Sequence, residues 1–237
     1  DIIVDASVLA EAGSSLATEY KNNGSVPIIS VDNQYDNAYF FGVNNEQAGI
    51  VAGEFIAKKV HDKWNGQVDS MLQFYREANG PEVKKRNEGI YTGMIENGID
   101  LPEDKVTWVE ASGTSQTLVD PGVMKSLVTD YLTAHPDDHH IVIGCFNDDG
   151  GSAALAAAQA TNRTEDVMII SHNADPAGLD NLRIEGENCW VGTVCYSPET
   201  YGDQIVELCK KIIAKEEVAD QTFANVFVIS DENIDEY

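Results

Sequence analysis

The sequence predicts an α/β fold with a mostly parallel sheet, and three observations carry that prediction. Short runs rich in Val and Ile alternate with longer stretches whose apolar residues recur at helical spacing. Some of the short runs, such as Ile141-Val142-Ile143, are apolar at every position, as a strand covered by helices on both faces must be. Pro81, Pro176 and Pro198 stand at or just before the start of longer stretches, where a missing N–H costs nothing.

Taken in order, strands are expected over Ile2–Val4, Pro27–Val31, Gln67–Phe74, Val106–Val109, Ile141–Phe146, Val167–Ile170, Trp190–Cys195 and Ala224–Ile229. Helices are expected over Gln47–Val60, Glu82–Asn97, Thr117–Ala134, Gly151–Thr161, Pro176–Glu185 and Pro198–Lys215. The first of these helices places Ile50, Val51, Phe55 and Ile56 close to helical period. Gly98, after Asn97, marks a helix stop. No Pro/Gly/Ser linker divides the chain and no short internal repeat is visible, so two lobes would have to be joined at tight hinges.

Length and composition bound the function classes. The 237 residues suffice for one large domain or two small ones, and 43% hydrophobic with 23% charged residues is ordinary for a folded protein. No run approaches the roughly 18 apolar residues of a membrane helix. Fifteen Lys and Arg against 40 Asp and Glu give a net charge of −25. Such a surface repels phosphate backbones and anionic bilayers, so nucleic acid is not an expected partner. The four cysteines, Cys145, Cys189, Cys195 and Cys209, form no CxxC pair and have no His at zinc-finger spacing. Buried thiols are the expectation, with a Cys189–Cys195 bridge as the alternative. The chain opens on Asp1-Ile2-Ile3-Val4-Asp5, without a start methionine or a leader pattern, and is expected to be a mature or trimmed piece of something longer.

Enzyme signatures are missing from the sequence: it has no GxSxG elbow, HExxH, Walker loop or GxGxxG after a strand. Clustered charge makes Asp137-Asp138-His139-His140 a solvated loop rather than a metal site. Asp62-Lys63-Trp64-Asn65-Gly66 fails as a calcium loop, because Trp64 and Gly66 occupy positions that need oxygen ligands. No catalytic residue, metal or cofactor is expected.

What remains is a set of polar residues at the carboxyl ends of expected strands, the edge where open α/β sheets bind ligands. Asp32-Asn33 follows Pro27–Val31, Asn147-Asp148-Asp149 follows Ile141–Phe146, and His172-Asn173-Ala174-Asp175 follows Val167–Ile170. Tyr196 follows Trp190–Cys195, and Arg86 lies in the helix after Gln67–Phe74. Each Asp or Asn taken alone is equally well a helix cap; the repetition over several strand ends points to a site. Carboxylates accept, guanidinium donates in a fixed fork and carboxamides do both, which suits a polyhydroxylated ligand. Phe146 and Tyr196 lie beside these groups as flat walls, with Tyr75 and Trp108 as further walls, whereas Trp64 and Trp190 are expected in the core.

An ordered series of segments resembles the type I periplasmic sugar-binding proteins, the ribose- and galactose-binding group. Its members are Val26–Asn33, Gly42–Gly49 with Gly53–Ala57, Arg86–Gly89, Leu132–Asp137, Asn147-Asp148 with the Ala-rich Ser152–Ala160, Gly192–Val194 before Tyr196, and Val228–Asp231. The resemblance implies two doubly wound parallel-sheet lobes joined by three hinge crossovers near 42–45, 196–198 and 221–225. The lobes would comprise residues 1–44 plus 197–223 and residues 45–196 plus 224–237, and they would clamp a sugar. It further implies ligand contacts from Asp32 and Asn33 on the first lobe, and from Arg86, Asn147, Asn173 and Tyr196 on the second lobe and hinge, with the Phe146 wall as the remaining expected contact. Asn173 stands where sugar binders commonly carry Asp, and Asn33 where ribose binders carry Arg. The family begins with two further βα units before the strand matching Ile2–Val4, so the first lobe is expected to be incomplete.

The function implied is solute binding for the membrane permease of an ABC importer, by an extracytoplasmic monomer. It would be periplasmic, or held at the cell surface by a lipid anchor on the segment before residue 1. The alternative is the effector-binding domain of a LacI-type sugar-responsive repressor, which shares the fold but needs an upstream helix-turn-helix. A sugar sensor feeding a membrane receptor would use the same site.

Overall fold

The computed structural model describes residues 1–7, 10–23, 26–76, 81–111, 120–184 and 188–237. In chain order these form β1 (Ile3–Asp5), α1 (Ala10–Asn23), β2 (Ile28–Val31), β3 (Tyr39–Gly42), α2 (Asn45–Trp64), β4 (Ser70–Tyr75), α3 (Pro81–Glu96), β5 (Val106–Glu110), α4 (Pro121–Ala134), β6 (Ile141–Cys145), α5 (Asp148–Ala160), β7 (Val167–Asn173), α6 (Pro176–Leu182), β8 (Trp190–Cys195), α7 (Tyr201–Ile213), β9 (Gln221–Phe223) and β10 (Phe227–Ile229). The chain is an α/β protein with parallel-dominated sheets, as the alternation predicts. It divides into two compact units, Asp1–Asn44 with Tyr196–Val226 and Asn45–Cys195 with Phe227–Tyr237.

The first unit holds a sheet in the order β1-β2-β3-β9, with every neighbouring pair parallel. Its apolar residues form two small clusters. Ile29, Phe41, Leu208 and Ala224 gather with Tyr201, Ile205 and Ile212 of α7. Ala17 of α1 gathers with Ile28 and Tyr35. The α7 residues Ile205, Leu208 and Ile212 recur at helical spacing, which is why this helix buries one stripe while Val206 and Ile213 stay exposed.

The second unit holds a six-stranded sheet in the order β10-β8-β7-β6-β4-β5, parallel except for β10 against β8. Strand alternation sends Leu72, Phe74, Ile141, Ile143, Cys145, Val167 and Ile169 into one large core. There they meet Met124, Val128 and Leu132 of α4, the alanines of α5, and Trp190. On the opposite face lie α2 and α3, and every residue of β6 is buried.

The helices α2 and α3 touch backbone to backbone. A Cβ on Gly49 would stand 2.1 Å from the Arg86 carbonyl oxygen, and one on Gly53 2.3 Å from that of Ile90. Only glycine permits that approach. The helix stop at Gly98 is present: its φ is +85°, and the Ile99 N–H reaches back to the Met94 carbonyl at 3.1 Å.

Several boundaries differ from expectation for local reasons. Of the expected strand Ala224–Ile229 only Phe227–Ile229 is strand, as β10, while β9 precedes it in the other sheet. Asn147 caps α5, so that helix starts at Asp148 rather than Gly151. Asp120 caps α4, which begins at Pro121; residues 117–119 of the expected helix, and Glu185 of another, lie outside the described residues. Pro198 opens a 3-10 turn ahead of α7. The helix α1 and the strands β3 and β9 have no counterpart among the expected elements. No disulfide joins the cysteines among the described residues; Cys145, Cys189 and Cys195 are buried, and burial pushes the Cys189 thiol up to about 12. Trp64 and Trp190 are core residues.

Candidate functional site

Parallel strands deliver their carboxyl ends to one edge of the sheet, and helices leave from that edge with their N–H groups unpaired. In the second unit this edge carries Tyr75-Arg76 after β4, Phe146-Asn147 after β6 and Asn173-Ala174 after β7. Asn147 accepts the Gly150 N–H at 3.1 Å on its Oδ1 and is only 3% exposed. It is a helix cap, placed at the strand end the sequence marks. Asp175 caps α6 in the same way, accepting the Gly178 N–H at 2.9 Å.

Arg86 draws distant parts of the second unit together. Its Nε donates to Asn45 Oδ1 at 2.6 Å. Its Nη1 donates to the Phe146 carbonyl at 3.2 Å and, at 3.4 Å, to Asn173 Oδ1. The guanidinium thus joins the start of α2, the end of β6 and the end of β7. The glycine contact between α2 and α3 fixes the helix that carries it. The Phe146 ring is 1% exposed and belongs to the core, so what Phe146 offers at the edge is its carbonyl. His172 is fully buried; burial first, and then the Arg86 charge, hold its imidazole well below its ordinary value and therefore neutral.

Two other aromatic candidates pair with each other. Tyr75 and Trp108 meet edge to face at 6.2 Å, with the Lys84 ammonium 5.1 Å from the Tyr75 ring centre and 5.5 Å from that of Trp108. Tyr196 is buried and opens the second stretch of the first unit.

Asp32 and Asn33 belong to the first unit, at the carboxyl end of β2. Asp32 is exposed, has φ +60°, and accepts the Tyr201 hydroxyl at 3.4 Å. Asn33 spends a donor within its own unit, giving Nδ2 to the Ser7 carbonyl at 2.8 Å. Sequence reasoning misses Asp5, at the end of β1. Its carboxylate accepts from the Ser7 hydroxyl at 2.6 Å and the Tyr35 hydroxyl at 2.5 Å, and these bonds hold it below the usual carboxylate range. The signal is the one used for Asp32, a polar residue closing an apolar run. Asn45 is the other missed residue, and its signal is its place at the start of α2.

His139 and His140 each face a carboxylate, Asp166 at 3.0 Å and Asp69 at 3.2 Å. Among the described residues no group of three or more His, Cys, Asp or Glu is placed to hold a metal. A cavity of about 820 Å³ in the first unit is lined by Pro27, Ile28, Tyr39, Phe40, Gln221 and Phe223 among others, at the amino ends of the strands and away from the ligand-binding edge. The carboxyl edge of the second unit therefore offers a guanidinium and several carboxamides held by part-buried contacts, a set able to donate to and accept from hydroxyl groups.

A family model described as a periplasmic binding protein domain matches residues 1–217. Among solved structures, the chain is similar to an ABC transporter periplasmic solute-binding protein from Actinobacillus succinogenes with bound D-allose, at 18% identity and a TM-score of 0.75, over 100% of this chain and 80% of that one. An ABC transporter solute-binding protein from Bacillus halodurans with bound myo-inositol matches at 20% identity and 0.74, over 100% and 76%. A periplasmic ribose ABC transporter protein from Conexibacter woesei matches at 19% identity and 0.77, over 100% and 74%. At these identities the likeness is one of fold.

Proposed function

The chain belongs to the periplasmic binding protein domain family, and on that premise we propose that it binds a sugar or a sugar-like polyol and presents it to an ABC-type importer. The observation that carries this reading is the Arg86 cluster at the carboxyl edge of the second unit, with Asn45, the Phe146 carbonyl and Asn173 around one guanidinium. Asn147 stands beside it as a further carboxamide. Sugar hydroxyls would replace part of this mutual bonding, each donating to a carboxamide oxygen or accepting from the guanidinium. No covalent step is involved. Binding energy that distinguishes the loaded from the empty protein is what a permease would read. The working place proposed is extracytoplasmic, and the solved proteins of similar fold with bound D-allose and myo-inositol support a polyol as cargo.

Calorimetry with D-ribose, D-allose, D-galactose and myo-inositol tests the proposal. The expected result is saturable binding of at least one. Arg86→Met should weaken it roughly 10- to 100-fold, the worth of a hydrogen bond to a charged group. Asp32→Ala and Asn33→Ala test the first unit's share: a fall in affinity supports their expected contacts, and no change removes them from the site. Silence toward all four compounds from a protein that melts cooperatively overturns the reading.

A further inference from the structure

The turn after β7 is built from backbone that L-residues rarely adopt: Asn173 has φ +112° and Ala174 φ +54°. The contacts that hold it converge on a carboxylate. The Ala174 N–H donates to Thr193 Oγ1 at 3.1 Å, and the Asp175 N–H donates to Asp148 Oδ2 at 2.8 Å. The Thr193 hydroxyl in turn donates to Asp148 Oδ1 at 2.6 Å, as does the Ser171 hydroxyl at 2.6 Å. Ser171 Oγ accepts the Trp190 indole N–H at 2.9 Å. Asp148, Ser171 and Thr193 are all fully buried. Gly178 closes the far side, since a Cβ there would stand 2.5 Å from Asp148 Oδ2. One carboxylate out of reach of solvent thus joins the start of α5, β7, β8 and the start of α6, immediately behind the residue that faces Arg86.

We propose that Asp148 is a positioning residue: its ionised carboxylate clasps the turn 173–175 and thereby holds the Asn173 carboxamide beside Arg86. Its bearing on ligand rests on the reading of this edge as a sugar site. The chemistry favours the anion as the clasp. A carboxylate only accepts, and three donors are aimed at it; once protonated it must donate, and a hydroxyl has to turn or the Asp175 N–H loses its partner. Burial opposes the charge and raises the Asp148 carboxyl to about 7, against the Ser171 and Thr193 hydroxyls and the Asp175 N–H. The neighbouring titratable groups do not set that balance. Asp175, the cap of α6, only adds to the rise, and Asp149 on α5 is itself raised by burial and by Asp175. Cys145 on β6 stays a neutral thiol because burial raises it. Cys195 lies two residues beyond Thr193 on the same face of β8. His172 follows Ser171 and so points to the opposite face of β7, held neutral by burial and Arg86.

The test begins without sugar. Carboxyl and amide resonances are followed from about pH 5.5 to about pH 8.5, a window spanning the carboxyl. The Asp148 carboxyl, the Asn173 side-chain amide and the Ala174 and Asp175 backbone amides should share one midpoint. If Asp148 titrates while Asn173 and Ala174 stay flat, the proposal is overturned. Asp148→Asn should abolish the Asn173 titration. Should that variant fail to fold, Thr193→Val must shift the Asn173 amide and Thr193→Ser restore it. Calorimetry with D-ribose, D-allose and myo-inositol then separates the two readings. Affinity should be roughly 3- to 10-fold weaker at the acid end, the worth of about one hydrogen bond. Shared midpoints with no binding uphold the clasp and remove the sugar reading; binding that is flat across the range removes the positioning role.

Discussion

The two units solve the same packing problem at different scales. The second buries a six-stranded sheet under helices on both faces and gathers Leu72, Phe74, Ile143, Met124, Val128 and Trp190 into one continuous core. The first, among its described residues, has four strands and two separate clusters, several of whose members are only half-buried. A side chain deep in a large core has no way to collapse around a loss, whereas one near a surface does. The polar groups follow suit. Arg86, Asn147 and Asn173 are held by networks within the large unit, while Asp32 stands exposed on the small one.

The contrast is open to a sharp test, because Trp64, Trp108 and Trp190 are the only tryptophans in the sequence and all lie in the second unit. Tryptophan fluorescence reports that unit, and far-ultraviolet circular dichroism reports both. Phe74→Ala should lower the fluorescence-monitored urea transition by about 3–5 kcal/mol, the usual cost of truncating a buried Phe. Phe41→Ala, equally buried but among half-exposed neighbours, should shift the dichroism and leave the fluorescence midpoint nearly in place. Coincident transitions in both variants would mean one cooperative body and would dissolve the comparison. A smaller effect is expected at Gly53→Ala, where the added methyl meets the Ile90 carbonyl: about 1–3 kcal/mol from the second unit, read by the same fluorescence transition.

The pH dependence is the most diagnostic effect, because its sign differs between the units. Asp5 in the first unit is held below the usual carboxylate range by the hydroxyls of Ser7 and Tyr35. Its contribution is present above about pH 4 and fades as pH falls through its lowered value. Asp148 in the second unit is raised by burial to about 7, so the folded state binds the proton more tightly than the unfolded one. Stability from that group is therefore lost as pH rises from about 4 toward about 7. Melting curves recorded by fluorescence across that interval should show the decline, and Asp148→Asn should flatten it. A second unit that grows more stable over the same interval, with the variant unchanged, would assign the trend to other groups.

Much of this architecture is legible in the sequence, and the exceptions have reasons. The strands β6 and β7 announce themselves because burial on both faces demands apolar runs such as Ile141–Ile143 and Val167–Ile170. Tyr39–Gly42 and Gln221–Phe223 are too short to show a period, and their pairing with each other spans most of the chain. The helix Ala10–Asn23 is polar at most positions, and the described residue that seats it is Ala17, against Ile28 and Tyr35. The strand-end rule names Asn147 and Asn173 but cannot tell a cap from a contact; Asn147 does cap α5 through its Oδ1. Arg86 is named from the helix that follows a strand and again by the family likeness; its partners Phe146 and Asn173 lie 60 and 87 residues away, beyond any local pattern. The Asp148 clasp is invisible for the same reason, since Ser171 and Thr193 reach it only through the register of three strands.

The glycine seam between α2 and α3 bears on how such a protein could change its diet. With main chain against main chain at Gly49 and Gly53, drift in the surrounding sequence has little room to slide Arg86, which on the reading proposed above would face the cargo. The guanidinium is a fixed post. Novelty has to come from what faces it, from Asn45 at a helix start and from Asn173 on its strained turn, where one substitution alters the pattern of donors and acceptors and leaves the scaffold untouched. Lineages descended from such a chain should keep the post and its seam while trading the residues opposite.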